Sequence, residues 1–168
     1  QIDSPKATAE ILLAHALDLK RIDLYLQYDR PLNKAELAAF KQLVLRRTKR
    51  EPVAYIVGAK EFWSLPLKVS KEVLIPRPDT ERLVAVALDL LARETLSRPL
   101  RILELGTGSG AIALSLASEH QEHFFFASDI SPAATEIAKL NAHENNLNNL
   151  QFFVGDWLEA LLPSEMPF

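Results

Sequence analysis

Apolar side chains recur at helical spacing through the first fifty residues. A first helix is predicted to start after Ser4, with Ser4 as its N-cap and a proline in its first turn. A second, short helix is predicted over 22–27, before a turn. Asn33 is followed three residues later by Glu36, which is the spacing of a capping box, and this predicts a third helix over 34–49. Residues 1–51 are therefore expected to form a small helical domain.

The pattern changes at Pro52, where β-branched and aromatic residues surround glycine and proline. Residues 52–76 are predicted to form a linker of short strands or a β-hairpin rather than another helix. The next prolines hold the chain extended around Arg77, and Asp79 or Thr80 is predicted to cap a helix over 81–93. This segment is interpreted in two ways, as a stiff linker or as the border of a ligand pocket. In the second interpretation, the pocket is bordered by Arg77, Pro78 and Thr80.

From residue 101 onward, buried strands alternate with amphipathic helices. The predicted order is strand 101–105, helix 111–118, strand 124–128, a helix opened by Ser131 and Pro132, and strand 151–154. Such spacing is typical of a parallel doubly wound α/β sheet, assigned here to residues 77–168, with the phenylalanines at 124–126 in the core. We expect the sheet to be unfinished after its third strand and the chain to be part of a longer protein.

Three alternate glycines, Gly106, Gly108 and Gly110, separate the first of these strands from its helix. The absence of Cβ atoms lets a nucleotide-like molecule approach the backbone, so the loop is predicted to bind a cofactor. Gly106, Gly108 and Ala111 also satisfy the dinucleotide pattern G-x-G-x-x-A. However, Glu104 would repel a pyrophosphate and attract the cationic methionine end of S-adenosylmethionine, which favours the latter cofactor.

Acidic residues follow the next two strands, at the edge where a ligand crevice is expected. Asp129 stands about twenty residues beyond the loop, where a carboxylate accepts hydrogen bonds from ribose hydroxyls of either cofactor. Asp156 and Trp157 follow the third strand, and they are interpreted as an acceptor for the adenine amino group and a flat wall for its ring. The alternative for this pair is a helix cap followed by a core tryptophan.

Composition and charge exclude several classes of protein. The 168 residues carry a net charge of −3 and no cysteine, so there is no basic field typical of nucleic-acid binding and no disulfide framework. No apolar run reaches membrane length, and a cytoplasmic monomer is the expectation. The basic cluster at 46–50 is interpreted as a complement to its helix dipole, with a contact surface for nucleic acid or an acidic protein as the alternative. His15 is interpreted as structural, and no metal site is predicted.

Several motifs together resemble those of a known family. Glu104 to Gly110 alone resembles the S-adenosylmethionine motif of class I methyltransferases. The more specific set resembles the HemK or PrmC family, whose members methylate the glutamine amide in the Gly-Gly-Gln motif of class I peptide chain release factors. It consists of Glu51-Pro52-Val53-Ala54-Tyr55-Ile56-Val57-Gly58, Glu61-Phe62-Trp63, Leu74-Ile75-Pro76-Arg77-Pro78-Asp79-Thr80-Glu81 and Ser128-Asp129.

The resemblance implies a role for each part of the chain. The helical domain would recognise the release factor. The methionine part of S-adenosylmethionine would be held by Glu104 and by the loop Gly106-Thr107-Gly108-Ser109-Gly110. Asp129 would bind its ribose, and Asp156-Trp157 would lie beside its adenine.

The catalytic part of the family's site is not found in this sequence. The family's Asn-Pro-Pro-Tyr motif, which binds the glutamine amide, does not occur in the 168 residues and is expected after Phe168. No catalytic residue is therefore assigned, and we expect cofactor contacts without catalysis by this chain alone. A nucleic-acid amino-group methyltransferase, a non-catalytic binding module and, as a weaker rival, a dehydrogenase remain alternatives.

Overall fold

The computed structural model describes residues 4–93 and 98–161, which form two compact units divided between Gly58 and Ala59. The first unit contains α1 (Pro5–Ala16), α2 (Asp23–Leu26), α3 (Lys34–Thr48) and α4 (Val53–Val57). Helix α1 packs against α3 and α4. Buried side chains of this unit include Leu12, Ala14 and Ile56, so its core is small.

Capping contacts account for where the helices of the first unit begin. The Asn33 side chain accepts a hydrogen bond from the Glu36 N–H at 2.9 Å, and the Glu36 carboxylate accepts one from the Asn33 N–H at 2.8 Å. The predicted capping box is therefore confirmed. Helix α1 begins at Pro5 with Ser4 at its N-cap, as predicted, although the Ser4 side chain makes no capping hydrogen bond.

The segment 53–57 is helical, and the prediction of strand there is wrong. Pro52 precedes the first turn, and Gly58 ends α4 in the left-handed conformation at φ +75°. The Arg46 guanidinium donates to the carbonyl oxygens of Tyr55 and Ile56, each at 3.3 Å, and so satisfies acceptors that the end of a helix leaves free. The first compact unit therefore extends to Gly58, whereas the sequence places the start of the linker at residue 52.

The second unit combines a hairpin with a parallel α/β sheet. Its elements are β1 (Ala59–Phe62), β2 (Leu65–Lys68), α5 (Pro78–Arg93), β3 (Arg101–Leu105), α6 (Ala111–Glu119), β4 (Phe124–Asp129), α7 (Pro132–Glu144) and β5 (Leu150–Val154). Strands β1 and β2 are antiparallel, which confirms the predicted hairpin. Strands β3, β4 and β5 are parallel and adjacent in that order, which confirms the predicted sheet.

The hairpin turns through two residues that rarely adopt its backbone conformation. Trp63 and Ser64 have φ of +50° and +60°, values that favour asparagine or glycine. Side chains of two helices hold this turn: Glu119 accepts from the indole N–H of Trp63 at 2.9 Å, and Glu81 accepts from its backbone N–H at 3.3 Å. Phe62 beside the turn is 2% exposed. The Phe62-Trp63 motif of the sequence thus fixes the hairpin to the core of its unit.

Two further predictions need correction. Helix α5 begins at Pro78 rather than at residue 81, so Asp79 and Thr80 lie in its first turn and not at its cap; proline fits there because its missing N–H would have no partner within the helix. Of the three phenylalanines, Phe125 is buried, whereas Phe124 is 53% exposed and therefore not core. In the part of the chain that the structure describes, no helix combines the length and apolar character of a membrane span.

Candidate functional site

The carboxyl ends of the parallel strands bring the predicted site residues of the second unit to one edge. Leu105 of β3 pairs in register with Ser128 of β4, and Asp129 pairs with Val154 of β5. The Gly155 N–H then donates to the Asp129 carbonyl at 3.1 Å. The glycine loop, Asp129 and the segment after β5 therefore start from neighbouring positions of the sheet, where open α/β sheets bind ligands.

The front of the glycine loop is open. The N–H groups of Gly106 and Thr107 both donate to the Ser128 carbonyl, at 2.8 and 2.9 Å, which closes the loop over the end of β4. Gly106 and Gly108 have φ of +76° and +56°, and a Cβ added to either would meet no atom within 4 Å. Glycine is therefore required at both for backbone conformation, and the space in front of them is available to a ligand.

Gly110 has a different role from the other two glycines. A Cβ at this position would lie 2.5 Å from Leu114 Cδ1 and 3.2 Å from Ala138 Cβ, and φ is +84°. Gly110 is therefore required for the close packing of α6 and α7. The cofactor contact of the three glycines stays a prediction; open space lies in front of Gly106 and Gly108, whereas Gly110 is surrounded by packed side chains.

Glu104 occupies the inner side of the loop, and one of its carboxylate oxygens is committed to local structure. Glu104 Oε2 accepts from the Thr107 hydroxyl at 2.7 Å and from the Ala113 N–H, at the start of α6, at 3.0 Å. Burial, and to a smaller extent the charge of Asp129, raise the pKa of Glu104 to about 7 against the lowering effect of these two hydrogen bonds. This carboxyl group is thus poised to ionise near neutral pH, and a nearby cation would favour its charged form.

The position of Glu104 bears on the class of ligand. In dinucleotide-binding folds, a pyrophosphate lies at the N-terminus of the helix that follows the glycine loop. Here the Glu104 carboxylate already accepts an N–H group of that first turn, and Asp129 adds a second acidic group close enough to raise the pKa of Glu104. The arrangement suits a cationic ligand and opposes a pyrophosphate.

Asp129 ties the loop to the next helix. Its Oδ2 accepts from the Gly108 N–H at 2.8 Å, and its Oδ1 accepts from the Ser131 N–H at 3.0 Å. Ser131 in turn caps α7 by accepting from the Ala134 N–H at 3.2 Å, as the sequence predicts. Asp129 thus has a structural role in addition to the ribose contact, which stays a prediction.

The remaining predicted cofactor residues differ in exposure. Trp157 is 73% exposed with φ +47°, so it is not the core tryptophan of the alternative interpretation. Asp156 is exposed as well. Thr107 and Ser109 are 5% and 1% exposed, and the Thr107 hydroxyl is directed to Glu104, so neither side chain is presented to solvent. Any ligand contact by these two residues would involve their backbone.

The predicted pocket border lies at the start of α5. Arg77 and Pro78 are exposed, Thr80 is partly exposed, and the Thr80 N–H donates to the Arg77 carbonyl at 3.0 Å. Helix α5 packs against α6, the helix that follows the glycine loop. The role of these three residues at a pocket stays a prediction.

The substrate half of the site is expected beyond the residues that the structure describes. The family resemblance implies that the Asn-Pro-Pro-Tyr motif follows Phe168, which itself lies outside the described residues that end at Leu161. The sheet domain is predicted to extend to Phe168, and the structure describes it as far as Leu161. The position of the motif therefore stays a prediction, and the described geometry bears on the cofactor residues alone.

Two groups of charged residues lie outside this site. Arg46 pairs with Glu51 and Arg47 donates to the Glu51 carbonyl at 3.0 Å, so these two arginines of the basic cluster join α3 to the segment before α4. His120, Glu122 and His123 offer ligand atoms within 4.8 Å of one another, the arrangement in the described ranges closest to a metal site. However, the Leu100 N–H is directed to His123 Nδ1, and Glu122 already pairs with His120.

Sequence reasoning missed Asn141, a polar residue of α7 that is 0% exposed. It bonds to the backbone of both β2 and the glycine loop. A signal was present: Asn141 follows Ala134 and Ala138 at helical spacing, so it occupies a position that faces the core, where a polar side chain requires partners.

Comparisons with known proteins agree with this architecture. Residues 96–166 match a family model described as a methyltransferase domain. Together with the parallel sheet and the loop after its first strand, this match defines the second unit as a Rossmann-like methyltransferase domain. Residues 1–58, the helical unit, match the model described as the PrmC N-terminal domain. The helical unit is thus similar to the N-terminal domain of the PrmC family.

Curated relatives match almost the whole chain. The protein of Aliivibrio fischeri is 49% identical over 97% of this chain and 56% of its own length. Those of Vibrio cholerae and Coxiella burnetii are 48% and 45% identical over 95% and 94% of this chain, and 54% and 56% of their own lengths. Each is named release factor glutamine methyltransferase. The chain spans about half the length of these relatives.

Similarity to solved structures is more distant. The methyltransferase domain of METTL16 is 22% identical, and the match spans 75% of this chain and 46% of the METTL16 chain, with a TM-score of 0.47. The match to a human methyltransferase 10 domain containing protein spans 56% of this chain and 47% of the human chain, with 23% identity and a TM-score of 0.46. Each match covers less than half of the solved chain.

Proposed function

We propose that the protein containing this chain transfers a methyl group from S-adenosylmethionine to the glutamine side chain in the Gly-Gly-Gln motif of class I release factors. The observation that carries the proposal is the similarity, 49% identity over 97% of the chain, to a relative named release factor glutamine methyltransferase. Its substrate is a release factor, which the helical unit helps to recognise. The protein acts in the cytoplasm and is a monomer.

The residues at the loop fit the proposed cofactor. Open space lies in front of Gly106 and Gly108, where backbone groups would contact the methionine part. Glu104 would balance its positive charge, because a carboxyl group with a pKa of about 7 gives up its proton readily beside a cation. Asp129 would accept from the ribose hydroxyls, and the exposed Asp156 and Trp157 would border the adenine. When bound, the cofactor supplies an electrophilic methyl group.

The chemistry of the acceptor explains what a complete site must contain. The lone pair of an amide nitrogen is delocalised, so the enzyme must orient the amide and accept hydrogen bonds from its protons rather than supply a strong base. The family motif Asn-Pro-Pro-Tyr, which would do this, is not within the 168 residues. We therefore propose that these residues provide the cofactor half of the site and that transfer requires a longer form.

The test measures transfer of labelled methyl from S-adenosylmethionine to a release factor. The chain of 168 residues and a form extended beyond Phe168 to the length of the relatives are compared, with a release factor whose motif is changed to Gly-Gly-Ala as the control acceptor. We expect label on the Gly-Gly-Gln protein from the longer form alone. Activity of the short form would overturn the division of the site. Label on DNA or RNA instead of the release factor would overturn the substrate.

A further inference from the structure

Asn141 uses its whole side-chain amide to join two segments that are distant in sequence. Its Oδ1 accepts from the Lys68 N–H at 2.7 Å, and its Nδ2 donates to the Lys68 carbonyl at 3.0 Å and to the Ser109 carbonyl at 2.9 Å. Lys68 ends strand β2 of the hairpin, and Ser109 lies in the glycine loop. A single buried side chain therefore bonds both backbone groups of Lys68 and also holds the loop.

The loop is thereby fixed at two adjacent points. Asp129 accepts from the Gly108 N–H on one side, and Asn141 donates to the Ser109 carbonyl on the other. Between the two contacts, the chain passes from Gly108 at φ +56° to Gly110 at φ +84°, so few intrinsic preferences restrain it. Hydrogen bonds from outside the loop therefore help to fix the conformation that its glycines allow.

Helix α7 presents one continuous face to the loop and the hairpin. Ala138, one turn before Asn141, packs where Gly110 leaves room. One turn after it, Glu144 pairs with the Lys68 ammonium group, and Asn145 donates to the Pro66 carbonyl at 3.1 Å. Of these contacts, only those of Asn141 bridge the hairpin and the glycine loop directly.

We propose that Asn141 is a positioning residue of the cofactor loop, which holds the Ser109 peptide in the orientation that S-adenosylmethionine requires. This inference rests on the proposed function, because it assumes that the loop binds that cofactor. Loss of the amide leaves the buried Ser109 carbonyl and both backbone groups of Lys68 without this partner, and the loop then relaxes away from the binding conformation.

The experiment compares Asn141→Ala with Asn145→Ala, which removes a bond to the same strand and one to the Asn141 backbone carbonyl but none to the loop. The chain has five glycines, three of them in the loop, so a sample labelled with ¹⁵N at glycine gives a spectrum with few signals. We expect Asn141→Ala to shift the Gly108 and Gly110 signals of the ligand-free chain and to weaken S-adenosylhomocysteine binding at least about tenfold, measured where the variant is folded. Asn145→Ala should leave both within about twofold of the unchanged chain.

Several outcomes would overturn the inference. One is that Asn141→Ala folds and leaves both the loop signals and the affinity unchanged. Another is that Asn145→Ala loses as much affinity as Asn141→Ala. If Asn141→Ala does not fold, Asn141→Ser is measured in the same way, and failure of both to fold makes the residue a general stability residue instead. If the unchanged chain does not bind S-adenosylhomocysteine, the proposed cofactor is wrong, and the glycine signals still decide whether Asn141 positions the loop.

Discussion

The two units use polar side chains in opposite ways. In the helical unit, most of the described polar contacts lie at the surface. Glu10, for example, accepts from the Tyr25 hydroxyl and from Arg21, each at 2.7 Å, and the hydrogen bond from Tyr25 and then that from Arg21 hold the pKa of Glu10 below its usual value. In the methyltransferase unit, Glu104 and Asn141 make their contacts inside the protein. Exposed pairs contribute little to stability, whereas buried polar groups are costly to disturb.

The same contrast extends to the packing of the helices. Helix α3 has no buried residue along its whole length, whereas most of α6 is buried, including Leu114 at 0% exposure. Changes in the helical unit should therefore act through local helix stability. Changes around the glycine loop should act through packing and ligand binding.

The largest effect is expected at Gly110. Gly110→Ala forces a Cβ against Leu114 and Ala138 at a left-handed φ, and we expect a loss of about 2–4 kcal/mol in the free energy of unfolding. Gly106→Ala, at an open position, should lose only about 1 kcal/mol but should weaken cofactor binding. Urea unfolding and cofactor titration of both variants measure the difference. Equal stability losses would show that Gly110 has no special packing role.

The next effect concerns the charge of Glu104. Because its pKa is about 7 in the folded chain, above the ordinary 4.5, the native state holds a proton that the unfolded state releases, so this residue lowers stability as pH rises from about 4.5 to 7. Glu104→Gln should remove that part of the pH dependence. Affinity for a cationic cofactor should rise about tenfold between about pH 6 and 8 in the unchanged chain, as Glu104 ionises.

The Glu104→Gln variant provides the control for this titration, since the ligand is the same in both series. Its affinity should be weaker at high pH and should lack the rise that depends on Glu104. An identical pH profile for the two proteins would mean that Glu104 does not interact with the ligand charge.

The smallest effect is expected in the helical unit. Asn33→Ala removes the capping box of α3 and should lower the free energy of unfolding of that unit by about 1 kcal/mol, measured by urea unfolding followed by circular dichroism. Ser4→Ala is the matched control, because Ser4 stands at the cap of α1 without a side-chain hydrogen bond. A loss of similar size in both variants would contradict the distinction.

Local signals were sufficient to predict much of this structure. Alternating strands and helices predicted the parallel sheet, and Asn33 with Glu36 predicted the start of α3. The helix at 53–57 was missed because its β-branched residues favour strands, whereas Gly58 and the guanidinium of Arg46 satisfy its end through contacts that the local pattern does not show. The role of Gly110 likewise depends on Ala138, which is distant in sequence and whose packing no local motif specifies.

The central claim is that the loop between β3 and α6 selects a cationic cofactor over a dinucleotide. Calorimetric titration of the chain with S-adenosylmethionine and, separately, with nicotinamide adenine dinucleotide tests it most directly. We predict saturable binding of S-adenosylmethionine at one site, weakened by Glu104→Gln, and no comparable binding of the dinucleotide. Tighter binding of the dinucleotide than of S-adenosylmethionine, or tighter binding of S-adenosylmethionine after Glu104→Gln, would contradict the assignment.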